Sequence, residues 1–359
     1  MIPKLVDAWL SKFKKRFFIY KDGFFELPFL GNSPAIMVKS LSATIFSKHL
    51  EDKQIINLKS PFVDGQMHYR EIEEGLWIIT FDMKWKANLK HYKVISKEIT
   101  TDFYTAAFGI YTHKLNVPLP TINKFSYFHK SWTLIKPGEA VEAVYYKGTE
   151  GVFVNAYFTK AWLEKNVISH QPSLNTTLLK FINSDRTSIV WPELITGSEQ
   201  LSSSIIRILN NPEPDKEVNL LELKMQSLMM LSMLFTKLKE EDIQEHYFEM
   251  SGDDRKKILQ SERILMENLY ASFPGIENIA QTIGMSATKL KSSFKTVYGL
   301  TLFDYYQEKR MYAAREMLEN GDLKIKEIAA SLGYENVSKF TAAFKKQYDV
   351  LPSRHRKPD

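Results

Sequence analysis

"IKEIAASLGYENVSKFTAAFKKQYDVLPSRHRK", residues 325–357, decides the reading of this chain, because its first half repeats the pattern of "IENIAQTIGMSATKLKSSFKTVYG", residues 276–299. In the earlier copy Ile276, Ile279, Ala280 and Ile283 stand at i, i+3, i+4 and i+7, one face of a short helix, and Gly284 follows. The later copy places Ile325, Ile328, Ala329, Leu332 and Gly333 in the same order, displaced by 49 residues throughout. A small alanine at that slot lets a second helix cross closely, and glycine supplies the left-handed conformation of a sharp turn. The spacing predicts a helix-turn-helix, twice.

Each turn leads into a second amphipathic stretch. Leu290, Phe294 and Tyr298 are four apart, as are Phe340, Phe344 and Tyr348, so each triplet anchors one helix. Ser286 and Asn336 are the expected N-caps. One extra residue in the later turn lengthens the displacement to 50. Away from the anchors lie Thr288, Lys291, Ser292 and Lys295, with Lys289 beside them, and in the later copy Ser338, Thr341, Ala342 and Lys345, with Lys339 and Lys346 at the margins. Residues 286–298 and 336–348 contain no acid. A DNA duplex repels carboxylates, whereas lysines displace its counterions and short hydroxyl side chains approach phosphates or base edges. A lysine-bearing helix face is ordinarily just solvated surface. Two copies in register, with the same core and turn, argue instead for a duplicated DNA-reading surface.

Between the copies, "TLFDYYQEKRMYAAREMLENG" reads as one helix from Leu302 to about Glu319, ended by Asn320 and Gly321. At about 1.5 Å per residue this rod spans roughly 27 Å, against about 34 Å for one turn of DNA. It is suited to holding two readers over successive major-groove segments.

These residues closely resemble the AraC/XylS family of bacterial transcription regulators over roughly the last 105 residues. The likeness rests on both repeats, on their spacing and on the Arg310-to-Leu318 linker pattern. It implies reading helices at 287–298 and 336–348, promoter DNA as partner, RNA polymerase as a further partner of an activator, and a cytoplasmic site of action. Three positions depart from the pattern. Ser292 and Ala342 stand where many members have arginine, weakening the expectation of bidentate guanine contacts. Asp349 stands where glycine is preferred, and His355 replaces an aromatic before Arg356. A weaker likeness in "EIEEGLWIITFDMKW", "IKPGEAVEAVYY" and "LLELKMQSL", to the subgroup with the siderophore-responsive pyochelin regulator, implies a cupin-like sensor barrel.

Read from its own residues, the stretch from 15 to about 165 is rich in aromatic and β-branched runs such as "RFFIY", "YTAAFGIYT" and "EGVFVNAYF", split by turn signals such as "KPGEAV" at 136–141. It predicts a β-sandwich or barrel of about eight strands. Helical patterns follow from Phe158, and Pro and charges break them in "NNPEPDKE" at 210–217. Leu220, Leu221, Leu223, Leu228, Leu231, Leu234, Phe235 and Leu238 then form a broad helical stripe. That stripe packs either on its own β-domain or on a second copy through 217–242. The fold expected is α+β and multidomain: a β-rich sensing domain at 1–165, a helical linker at 166–250 and an all-α DNA-binding domain at 251–359.

Composition narrows the functions. The 359 residues contain no cysteine, which excludes disulfides, thiolate metal sites and thiol nucleophiles, including the methyl-accepting repair enzymes that carry this kind of DNA module. The net charge is +6, and residues 251–359 hold 18 Lys and Arg against 14 Asp and Glu. The start, "MIPKLVDAWLSKFKKRFF", lacks a signal-peptide pattern, and no apolar run is long enough to span a membrane. The eight histidines show no His-x-His pair, and the nearest cluster is His68 with Glu71 and Glu73, which a half-exposed strand explains more simply. No catalytic residue, cofactor or metal is therefore expected. A small-molecule effector is expected among the sensor aromatics Trp77, Phe81, Trp85, Tyr104, Tyr111 and Trp132, with Phe108 and Phe128 as further core or pocket candidates. Two rival readings stay open: a metal-dependent barrel enzyme fused to a DNA module, and an architectural DNA binder with no ligand.

Overall fold

The computed structural model describes residues 19–44, 46–112, 120–123, 125–126, 130–170, 177–185, 187–192, 197–210, 216–238, 252–298, 300–320 and 323–355. Phe128, Gly299, Gly321 and residues 211–215 of the "NNPEPDKE" break lie outside them. The chain divides into two compact units, Met1–Glu241 and Asp242–Asp359.

Two sheets face each other in the first unit. The smaller runs, edge to edge, through β1 (Tyr20–Lys21), β2 (Phe24–Leu30), β7 (Leu89–Val94), β12 (Val141–Tyr145), β9 (Thr121–Ile122) and β10 (Phe125–Ser126). The larger runs through β14 (Ser188–Pro192), β11 (Lys130–Ile135), β8 (Phe103–Thr112), β13 (Glu150–Thr159), β6 (Leu76–Trp85), β5 (Val63–Glu73), β4 (Ile55–Lys59) and β3 (Ser47–Leu50). Pairing is antiparallel except between β2 and β7. Of the sandwich or barrel of about eight strands read from the sequence, the described residues form two sheets, of six and eight strands, and no closed barrel. Edge strands β10 and β3 are two and four residues long, and each ladders with one neighbour among the described residues.

Helices explain why alternation is incomplete in "VFVNAYF". In β13, Phe153, Asn155 and Tyr157 point between the sheets, while Val154, Ala156 and Phe158 are buried on the other face. That outer face is covered by α2 (Lys160–Asn166), α4 (Ser198–Asn210) and α5 (Lys216–Lys237), with Phe158 packing edge-on against Phe235 at 5.8 Å. A strand buried on both faces needs no polar positions. Two elements depart from the sequence reading. The segment "PAIMVKSLS" forms α1 (Pro34–Ser42), started by the Ser33 side chain accepting from the Ile36 N–H, with proline in the first turn. Strand β14 joins the larger sheet from within the stretch read as helical linker, just after the short α3 (Thr177–Asn183).

The α5 stripe splits in two. Leu223, Leu231, Leu234, Phe235 and Leu238 are buried, whereas Leu220 and Leu221 are 41% and 60% exposed. Lys224 of α5 pairs with Glu73 of β5, whose carboxyl also accepts from Trp162 Nε1 at 2.8 Å. Both bonds hold that carboxyl below its usual range. The helix therefore packs on its own sheet, with Leu221, Met225 and Met229 left facing outward.

The second unit is all helical: α6 (Gly252–Glu267), α7 (Ile276–Ile283), α8 (Ala287–Tyr298), α9 (Leu302–Asn320), α10 (Ile325–Ser331), α11 (Val337–Tyr348) and α12 (Pro352–His355). The rod α9 touches both reading pairs. Its Tyr305 ring lies 5.4 Å from Phe294 and 4.8 Å from Tyr298 of α8, and its Met311, Ala313, Ala314 and Leu318 share a core with Phe340 and Phe344 of α11. At the later turn Gly333 adopts φ +71°, and an added Cβ would meet the Ala271 carbonyl oxygen at 2.9 Å. Gly284 also has positive φ, +64°, yet open space surrounds it. Replacing Gly284 by Ala is expected to cost about 1–2 kcal/mol for the left-handed backbone alone. Gly333→Ala adds a backbone clash and costs more, which hydrogen exchange across residues 306–348 measures as the larger loss of protection.

Candidate nucleic-acid interface

Both reading pairs are built as their spacing predicts. In the first, α7 buries Ile279, Ala280 and Ile283 and ends on Gly284, whose left-handed geometry turns the chain into α8. Ser286 Oγ accepts from the Lys289 N–H at 3.3 Å, satisfying one of the free donors at the start of α8. In the second, Asn336 accepts from the Lys339 N–H at 2.8 Å. Leu290, Phe294 and Tyr298 are buried, as are Phe340 and Phe344, while Tyr348 is half-buried. Asp349 closes α11 at φ +57°, a conformation its short polar side chain tolerates. His355 lies nearly parallel to Tyr348 and edge-on to Phe344, so it fills the aromatic slot.

The opposite faces are free of bulk. Thr288, Lys289, Lys291, Ser292 and Lys295 are exposed on α8. On α11, Ser338, Lys339, Ala342, Lys345 and Lys346 are exposed and Thr341 is half-buried. The lysines are not equivalent. Lys289 pairs with Asp254 of α6 at 2.8 Å, and Lys339 pairs with Glu335 at 2.6 Å and keeps that carboxyl below its usual range. Lys291, Lys295, Lys345 and Lys346 have no ion pair among the described residues. Ser292 Oγ donates back along its own helix, within 3.2 Å of the Thr288 and Lys289 carbonyls, so its hydroxyl is engaged at home.

The family model for a helix-turn-helix domain matches residues 279–358, which takes in most of the first pair and all of the second. The regulator ExsA of Pseudomonas aeruginosa is 30% identical over 94 residues, 26% of this chain and 34% of that protein. This chain thus spans about a third of the length of the first curated relatives it matches. Among solved structures, the C-terminal domain of the response regulator yesN from Fusobacterium nucleatum is 31% identical, covering 27% of this chain and 94% of that one at a TM-score of 0.26. An AraC-type regulator from Chromobacterium violaceum is 22% identical, covering 30% of this chain and 94% of that one at a TM-score of 0.27. Residues 279–358 thus carry a helix-turn-helix domain of the kind found in bacterial transcription regulators.

Outside the AraC-type domain, the sensor aromatics divide by strand parity. Phe81, Trp85 and Tyr111 line a cavity of about 170 Å³ between the two sheets. Trp77 shares the parity of Phe81 on β6 and packs with it beside a cluster around Met37 and Ile79, but lies outside the cavity lining. Tyr104 and Trp132 face the helices: Tyr104 stacks on Phe158, and Trp132 Nε1 donates to Ser198 Oγ at 3.3 Å. Phe108 lies beside Trp132. The wall also carries polar groups that the aromatic count missed, among them His91, Lys93, Asn155 and Tyr157. No group of three or more His, Asp or Glu among the described residues is arranged for a metal, and no described helix is long and apolar enough to cross a membrane. His68 is buried, Glu71 is exposed and Glu73 is held by Trp162 and Lys224, so the three form no common site.

Burial pushes the His91 imidazole down to about 4 from its ordinary 6.5, and Trp85 Nε1 donates to its Nε2 at 3.5 Å. The unfolded chain therefore takes the proton first as pH falls. Stability of the first unit should decline from pH about 6.5 towards 4 and recover as pH rises. All six tryptophans precede residue 242, so tryptophan fluorescence follows this unit by itself. In His91→Phe the dependence of its melting temperature on pH over that window should be flatter than in the parent, and an identical slope would contradict the assignment.

Proposed function

We propose that the chain is a sequence-specific transcription regulator whose two helix-turn-helix pairs grip successive major-groove segments of promoter DNA, under the control of a small molecule held by the cupin-like first unit. The observation that carries this reading is the pairing of two exposed, acid-free helices on one buried rod. A rod of 19 residues is about 28 Å long. That length is close to one DNA turn, so one chain can meet two groove segments on the same side of the duplex.

Phosphate grip is the stronger half of the interface. Lys291, Lys295, Lys345 and Lys346 supply unengaged cations, while Ser292 and Ala342 offer no fork for guanine. Thr288, Ser338 and Thr341 are the short hydroxyl groups left for base edges or phosphates. Such a balance favours readout through DNA shape as well as base contacts. The outward Leu221, Met225 and Met229 of α5 are the place for a second copy within 217–242, and RNA polymerase is the partner if promoters are activated. The regulator works in the cytoplasm, where promoter DNA is.

A salt titration tests the grip. Lys291→Ala and Lys345→Ala should each weaken binding to a promoter site and lower the slope of log K against log salt by about 0.9. Lys289→Ala should change both less, because Asp254 already engages that lysine. Unchanged affinity and slope in the first two variants would refute the assignment. Equal affinity for promoter and scrambled DNA would favour the architectural reading.

A further inference from the structure

The cavity of the first unit has an unusual wall. Its lining contains no aspartate or glutamate, and most of it is aliphatic and aromatic, with Trp85 stacked on Tyr145 at 4.0 Å and Phe153 edge-on to Tyr111 at 4.8 Å. A smaller pocket of about 50 Å³ shares Phe29, Leu41, Leu58 and His91 with it. Into this apolar space strand β7 brings the Lys93 side chain. The stem of Lys93 runs across Gly31, where any Cβ would collide with it, so the path of the side chain is set by the absent side chain of its neighbour. No carboxylate among the described residues pairs with Lys93. Burial drives its ammonium down to about 8, and only the more distant charge of Glu139 acts the other way.

Opposite β7, strand β13 carries a second unsatisfied group. Asn155 Nδ2 donates to the Tyr157 hydroxyl at 3.4 Å, but Asn155 Oδ1 is buried with no partner. Tyr157 in turn reaches only the Met37 sulfur, at 3.7 Å. A cation and an acceptor left unpaired in an apolar chamber are costly in the empty protein. Both costs vanish when a ligand brings an anion and a donor. The size sets a further limit, since an apolar cavity of about 150 Å³ is room for a benzene-sized body.

We propose that this cavity is the effector site and that its ligand is a compact apolar carboxylic acid, with a body of one ring or a short aliphatic chain, whose carboxylate pairs with Lys93 and whose polar substituent reaches Asn155. The assignment deepens the regulatory reading above and rests on it for the word effector. The cavity chemistry stands by itself. The ligand exchanges an isolated ammonium for a charge-assisted hydrogen bond, and its body displaces space bounded by Trp85, Tyr111, Tyr145 and Phe153. Acid and neutral analogue then differ at one contact, which makes the claim measurable.

The experiment is calorimetric titration of the full chain, without DNA, with salicylate, benzoate and octanoate and with the matching amides. Tryptophan fluorescence serves as a second readout, because Trp85 lines the cavity. At least one acid should bind ten-fold or more tightly than its amide. In Lys93→Met, which keeps the apolar stem and removes the charge, that preference should vanish while the melting temperature holds or rises. Equal binding of acid and amide by the parent protein, an unaltered preference in Lys93→Met, or no binding of any of the three acids would overturn the proposal. A gel shift with the bound acid separates the two claims: a promoter affinity indifferent to an acid that does bind through Lys93 would fault the regulatory reading and leave the site intact.

Discussion

A buried guanidinium holds the DNA-binding unit together. Arg310 of α9 lies between the rings of Tyr334, at 4.2 Å, and Tyr306, at 5.1 Å, and donates to the Leu332 carbonyl at the end of α10. Tyr306 donates to the Ala271 and Asn268 carbonyls beyond α6, and Gly333 packs against the same Ala271 carbonyl. Rod, later turn and the end of the first helix thus meet at one node. A charge taken out of water tolerates few arrangements, and because Arg310 Nε is buried without an acceptor, moving either aromatic face or the Leu332 carbonyl would strip the guanidinium further. The node consequently fixes where α10 and α11 sit on the rod. On the other side, Tyr305 donates to the buried Glu262 at 2.9 Å and packs on Phe294 and Tyr298, which locates α8. The spacing of the two reading helices is therefore a property of α9, and the exposed lysines are carried on that frame.

The first unit obeys a different constraint. Its larger sheet is covered by helices on one side and faces the smaller sheet on the other, so strands such as β8 and β11 bury residues of both faces. Space remains where side chains from the two sheets fail to meet, and there the Lys93 ammonium has no carboxylate partner among the described residues and Asn155 Oδ1 has no donor. Such unsatisfied groups favour an occupant, and they bias a conformational equilibrium only in so far as one arrangement of the unit presents them to that occupant better than another. A ligand shifts an equilibrium only through a difference of that kind.

The two halves of the molecule were unequally legible in the sequence. Helical period, capping residues and turn glycines recur at fixed offsets in the repeats, and each is a local signal, so the bounds of α7 to α11 could be read from residues alone. Asp349 and His355 departed from the pattern, and both fit because backbone geometry and ring stacking accept them. In the first unit, aromatics mark strands without saying which face is inward. Tyr104 and Trp132 turned out to lie beneath helices, while Tyr111 lines the cavity, a distinction of parity that only the register of β8 and β11 resolves. Lys93, in "LKHYKV", reads as a solvated strand position, since nothing local reveals that its stem runs across Gly31 and that the residue is half-buried beside the cavity. Helix α1 and strand β14 were hidden for a related reason: both are short, and long-range packing decides their state.

The central claim is that one chain reads two groove segments at a spacing set by α9. Hydroxyl-radical footprinting of the full chain on a promoter fragment recovered by genomic immunoprecipitation tests it most directly. The account predicts two protected patches about one helical turn apart on one face of the duplex, with Lys291→Ala weakening one and Lys345→Ala the other. A single patch, or two patches that both variants weaken equally, would contradict it.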